Sequence, residues 1–168
     1  MNLYLLRHGI AEERDERRYP DDSLRPLTAE GRRKMRGIAA GMRILELRFD
    51  VWLSSPYVRA RQTAEIVAKE FQGRDSLELI PELTPDGSAR RLMRRLVEKH
   101  AAAKNILLIG HEPYLSELAG FLMTGRTGSP FALKKGGLCL LSMKFPGWGR
   151  YATLEWLLTP RQLIAFGR

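Results

Sequence analysis

Two histidines and two arginines stand at or just beyond the ends of short apolar runs, where their chemistry could converge on one bound group. Leu3-Tyr4-Leu5-Leu6 passes directly into Arg7-His8-Gly9, and Ile106-Leu107-Leu108-Ile109 passes into Gly110-His111 in the same manner. A third apolar run ends in Ser54-Ser55-Pro56 and is followed by the basic stretch Tyr57-Val58-Arg59-Ala60-Arg61. Continuous apolar runs of this length suit strands buried on both faces of an α/β sheet. Ligands of such sheets bind beyond the carboxyl ends of the strands. The chain has 3 histidines. His100 lies in a polar helical stretch and is expected to be solvated, so both remaining histidines close strands. Three strand ends bringing His, His and Arg together make a site for an anion, and a phosphoryl group suits it best. Gly9 is expected to let the backbone approach a ligand closely or to take a positive φ. A metal site is the rival for two histidines. It would need carboxylate or cysteine companions at ligand spacing, and Arg7 and Arg59 would repel the cation, so no metal is expected.

The elements that must position these residues alternate along the chain. After the first strand comes a charged loop, Ala11 to Arg25, too polar for a core and expected to border the site. Thr28 reads as the N-cap of a helix over Ala29 to Leu47, with Met35, Ile38, Ala39, Met42 and Leu45 as its apolar stripe. Phe49 to Leu53 reads as the next strand. A helix follows Pro56 and carries a small inner face of Ala60, Ala64, Val67 and Ala68. Leu77 to Ile80 is a short strand, and Ser88 caps a basic helix with Leu92, Leu96 and Val97 inward. Beyond the second histidine strand, a helix over Tyr114 to Met123 has Pro113 near its first turn, and Gly125 to Pro130 is a loop. Leu138 to Phe145 and Tyr151 to Leu158 read as a hairpin around Pro146-Gly147-Trp148-Gly149. Pro160 opens a short helix ending near Phe166. The pattern predicts a three-layer α/β/α sandwich on a mostly parallel mixed sheet, one domain spanning residues 1–168.

The ordered set Arg7-His8-Gly9, Ser54-Ser55-Pro56 with Arg59 and Gln62-Thr63-Ala64, and Gly110-His111 resembles the histidine phosphatase superfamily, whose fold is phosphoglycerate mutase-like. Arg25-Pro26-Leu27-Thr28, Pro81-Glu82-Leu83-Thr84-Pro85 and the short length make the chain most similar to SixA-type phosphohistidine phosphatases. The resemblance implies that His8 is the nucleophile and forms a phosphohistidine. Arg7, Gly9, Arg59 and His111 would bind the phosphoryl oxygens, the arginines through planar forks. His111, protonated beside the phosphate or holding the phosphoryl group, would stabilise the transferring charge. Glu82 is the candidate general acid, its rival reading being a loop carboxylate paired with an arginine. Arg25 is a further possible substrate contact. No cofactor is implied.

Composition bounds the function classes. At 168 residues the chain is long enough for one sizeable core, and 44% hydrophobic with 28% charged residues is an ordinary globular balance. No apolar run approaches ~20 residues and no signal-peptide pattern opens the chain. Neither a membrane span nor a membrane partner is expected, and the cytoplasm is the expected compartment. Cys139 is the only cysteine, so no disulfide can form within the chain, and it reads as a small core hydrophobe. The net charge of +9 comes from arginine-rich stretches at 14–18, 32–36 and 90–95. They lack interleaved aromatics and any nucleic-acid fold motif, so nucleic acid is not the expected partner. A phosphohistidine-bearing protein fits a short chain without the insertions that cap small-molecule pockets. The leading expectation is therefore a phosphohistidine phosphatase working through phospho-His8. The alternatives are a small-molecule phosphomonoesterase, which a working acid at Glu82 or Asp86 would favour, and a phosphate-binding module without turnover.

Overall fold

The computed structural model describes residues 1–72, 77–129, 131–144 and 152–167. Six strands form one sheet: β1 (Asn2–Arg7), β2 (Val51–Ser54), β3 (Leu77–Leu79), β4 (Asn105–Gly110), β5 (Leu138–Met143) and β6 (Ala152–Leu158). Their spatial order is β3-β2-β4-β1-β5-β6. The pairs β3–β2, β2–β4 and β4–β1 are parallel, whereas β5 runs antiparallel to both β1 and β6.

Strand periodicity sets the layers, because successive side chains point to opposite faces. Leu3 and Leu5 of β1 with Ile106 and Leu108 of β4 join one core. Tyr4, Leu6, Leu107 and Ile109 join the other. The first face is covered by α3 (Ala89–His100) and α4 (Tyr114–Thr124) through Leu92, Met93, Leu96, Leu115, Leu118 and Leu122. The second is covered by α1 (Ala29–Ile44), α2 (Val58–Glu70) and α5 (Pro160–Phe166). Each fully buried leucine contributes about 1.5–3 kcal/mol relative to exposure. The central strands are apolar on both sides because both sides are covered, and the expected three-layer sandwich is what forms.

Several boundaries differ from the sequence expectation for identifiable reasons. Helix α1 ends at Ile44, and Glu46 takes a φ of 53°, a left-handed turn that closes the helix before Leu47. Phe49 does not open β2. It packs edge-on against Tyr4 and Trp52, beside Phe71, so its ring belongs to an aromatic cluster at the sheet's lower end. In α3 the inward residue is Met93, while Val97 is 42% exposed, because the stripe follows Leu92 and Leu96. His100 ends α3 half-buried, its Nε2 buried without a partner, so it is less solvated than its polar neighbours suggested. Cys139 is fully buried, and burial pushes its thiol up to about 12. The hairpin turn expected at Pro146-Gly147-Trp148-Gly149, together with Phe145, Tyr151 and Pro130, lies outside the described residues.

Candidate active site

The parallel register assembles the site. Arg7 of β1 lies opposite Gly110 of β4, and Ile109 lies opposite Ser54 of β2. The residues that follow, His8, His111 and Ser55, therefore leave the sheet side by side. The ladder continues one step past the strands, with His8 N–H donating to Gly110 O at 3.0 Å and Ser55 N–H to Ile109 O at 2.9 Å. The imidazoles of His8 and His111 end up with ring centroids 5.1 Å apart. Both are nearly buried, at 6% and 2% exposure.

Backbone geometry fixes the state of His8. Its Nδ1 lies 2.7 Å from Gly9 O. A carbonyl can only accept, so Nδ1 carries the proton and Nε2 keeps the lone pair. Burial, then the charges of His111, Arg59 and Arg7, push the imidazole well below its ordinary 6.5, with the Gly9 carbonyl acting the other way. His8 is thus neutral near pH 7. Gly9 is needed for close packing and has no positive φ: a Cβ there would sit 2.7 Å from Met35 Cγ of α1. Gly9 N–H donates to Thr63 Oγ1 at 3.0 Å, and that hydroxyl donates to Arg59 O at 2.7 Å. One threonine, a helical turn beyond Arg59, thereby locks the loop after β1 to the start of α2.

His111 is oriented by Ser55. Its Nε2 lies 2.8 Å from Ser55 Oγ, which also accepts from Tyr57 N–H. The Ser55 hydroxyl has no other acceptor for its proton among the described residues, so it donates to Nε2. The other nitrogen, Nδ1, then bears the proton, and it is buried without a protein partner. Burial first, then the charge of Arg59, with Asp22 opposing, push His111 down to about 3. A nearly buried imidazole beside two guanidiniums is neutral, and it offers one N–H.

The arginines face the same space. Arg7 Nη1 donates to Leu133 O at 2.6 Å, and its Nε is buried without a partner. Arg59, 4% exposed, gives Nη1 to Asp22 O at 2.8 Å and Nη2 to Asp22 Oδ2 at 2.9 Å, and its Nε likewise lacks a partner. Three buried donors without acceptors, on Arg7, Arg59 and His111, are a donor set for an oxyanion, since buried polar groups are otherwise paired.

Of the other expected residues, Arg25 does not project freely. It gives Nε to Asp22 Oδ1 at 2.9 Å and Nη1 to Glu12 O at 2.8 Å, so its guanidinium holds the charged loop in place. Glu82 lies on a 3₁₀ turn, Pro81–Leu83, with Oε1 3.2 Å from Arg95 Nε and Oε2 buried without a partner. Among the described residues, no group of His, Cys, Asp or Glu is placed to hold a metal ion. No helix there is long and apolar enough to cross a membrane.

Sequence reasoning missed Asp22, which bridges Arg25 and Arg59. Burial opposes its ionisation, but hydrogen bonds and charge from those arginines hold its carboxyl below the usual range. It missed Glu112, whose Oε1 accepts from Leu133 N–H at 2.8 Å, fixing the segment that presents the Leu133 carbonyl to Arg7. Thr63 carried a signal, its i,i+4 spacing from Arg59. Asp22 and Glu112 carried none, because their partners are remote in sequence.

The sequence profile of the histidine phosphatase superfamily (branch 1) matches residues 3–84. Phosphohistidine phosphatase SixA of Escherichia coli (strain K12) is 29% identical over 164 residues, covering 97% of this chain and 96% of that protein. An uncharacterized protein of Picosynechococcus sp. is 39% identical over 139 residues, 82% of each. The solved structure of the protein histidine phosphatase SixA complexed with tungstate superposes with a TM-score of 0.82 at 27% identity, over 97% of this chain and 99% of that one.

Proposed function

The chain belongs to the histidine phosphatase superfamily and is a SixA-like phosphatase, and on that premise we propose that it hydrolyses phosphohistidine on another protein through phospho-His8. The observation that carries this reading is the bond from His8 Nδ1 to the Gly9 carbonyl, which leaves Nε2 as an uncharged nucleophile. In the first step Nε2 attacks phosphorus and the substrate N–P bond breaks. The substrate ring, protonated on its far nitrogen, departs as neutral imidazole. In the second step water attacks the phospho-His8 phosphorus, and its proton leaves with the phosphate. His8, still holding its Nδ1 proton against Gly9, is itself a neutral leaving group. Neither step calls for a carboxylic acid. Arg7, Arg59 and the His111 N–H act throughout on the equatorial oxygens, where negative charge is spread.

The carboxylates near these groups favour the same substrate. Asp22 is paired with Arg59 and Arg25, and Glu112 accepts from Leu133 N–H and from the Ser116 hydroxyl. An alkyl phosphate, whose leaving alkoxide is strongly basic, needs a proton donor. Glu82 keeps the phosphomonoesterase reading alive, because its Oε2 is buried and free of partners.

The test is a time course with a phosphohistidine-bearing protein beside an alkyl phosphate, for the wild type, His8→Ala and Glu82→Gln. Loss of phosphohistidine alone, reduced by about 10³-fold or more in His8→Ala and little changed in Glu82→Gln, is expected. Comparable alkyl phosphate turnover that Glu82→Gln abolishes would replace this reading with the phosphomonoesterase.

A further inference from the structure

Arg7 also lines a groove of about 910 Å³ that extends between the segment carrying Lys134 and Lys135 and the start of α5. Its cations are Arg7, Lys34, Lys134, Lys135 and Arg161, and no aspartate or glutamate lines it. Lys34 has a companion in Glu30 at 2.7 Å, a largely solvated pair worth little. Lys134, Lys135 and Arg161 are exposed and have no carboxylate partner among the described residues. Ile10, Pro160 and Ile164 give the groove an apolar floor. Like charges gathered around one concavity repel each other, and an anionic partner relieves that repulsion.

The groove is fixed relative to the nucleophile. Gly136 N–H lies 3.1 Å from both Arg7 O and His8 O, and Arg7 N–H donates to Gly137 O at 3.1 Å. Lys134 and Lys135 are thereby carried on a segment bonded to the end of β1. The opposite wall is α5, seated on α1 where Gly41 meets the Leu163 carbonyl. An occupant would therefore lie at a set offset from a phosphoryl group on His8. The open groove with its long, solvated cationic rim is wider than an inorganic anion needs and offers apolar area besides charge.

We propose that this groove docks an acidic, partly apolar segment of the phosphohistidine-bearing substrate protein, adjacent to its phosphohistidine. The inference rests on the substrate reading given above and places the recognition surface on Lys134, Lys135 and Arg161. Rim charges of this kind act on encounter and on partner choice.

The experiment uses two labelled peptides, each with a non-hydrolysable phosphohistidine analogue. One is flanked by glutamates and a leucine, the other by serines. Binding is read by fluorescence anisotropy at low salt, for the wild type and for the Lys134→Glu/Lys135→Glu/Arg161→Glu variant. The acidic peptide should bind the wild type at least roughly tenfold more tightly than the serine peptide, and the variant should erase that preference. Unchanged hydrolysis of phosphoramidate by the variant shows that the fold and catalytic centre are intact. Equal affinity of the two peptides for the wild type would overturn the proposal, and so would a preference that survives the variant. A wild type that prefers the acidic peptide through these residues, yet cannot hydrolyse phosphohistidine protein, would support the groove and sink only the substrate reading.

Discussion

At the scale of single residues, the site works by setting protonation states with fixed neighbours. The Gly9 carbonyl and the Ser55 hydroxyl each commit one nitrogen of a histidine, which leaves the remaining nitrogen of each ring in a defined form. Both imidazoles are pushed below 6.5 chiefly by burial. In the proposed mechanism a neutral His8 is the reactive species, and its population falls only when pH drops through the lowered value. kcat/KM for phosphohistidine, corrected for spontaneous loss, should thus show no acid limb centred near about 6.5, while it falls on the alkaline side as the substrate's own far nitrogen gives up its proton, and an acid limb centred on an ordinary histidine value would contradict this assignment. The same shifts affect stability. In the unfolded chain each histidine takes up a proton near 6.5, before the folded form does. The contribution is complete above 6.5 and is lost as pH falls toward the folded values, about 3 for His111. The melting temperature should fall over that window, with a shallower slope in His111→Asn.

At the scale of elements, close contacts between backbones decide what can be positioned. Helix α5 approaches α1 so closely that a Cβ on Gly41 would lie 1.8 Å from Leu163 O. Gly41→Ala must push α5 outward, at a cost of about 1–3 kcal/mol, which the midpoint of denaturant unfolding would report. Because α5 walls the groove beside Arg7, that variant should weaken the acidic-peptide preference while leaving phosphoramidate hydrolysis near the wild-type rate. Loss of both together would mean that α5 supports the catalytic centre as well.

At the scale of the whole molecule, the charge of +9 governs encounter. Attraction of an acidic substrate acts over the Debye length, about 10 Å at 0.1 M salt and about 3 Å at 1 M. Raising ionic strength across that range should lower kcat/KM for a phosphohistidine protein roughly tenfold or more, mainly through association, and leave phosphoramidate turnover nearly constant. Equal salt sensitivity of the two substrates would place the effect in the phosphoryl site, outside the groove.

The apolar runs ending in Arg7-His8 and Gly110-His111, with Arg59 in the first turn of its helix, were legible in the sequence because strand burial and strand-end chemistry are local. So were the Thr28 N-cap and the inner face of α2, which depend on neighbours within a turn. The tertiary structure alone decided which ring nitrogen is free, since the Ser55 hydroxyl that commits His111 comes from another strand. It decided that Asp22 shares Arg59, that Glu112 fixes the Leu133 segment holding Arg7, and that α5 completes a cationic groove. Each of these joins residues far apart in the chain, and burial lowered the His111 value against its ordinary one. Side-chain type and spacing set which chemistry is available, whereas protonation state and pairing depend on distances that only the packed sheet and helices create.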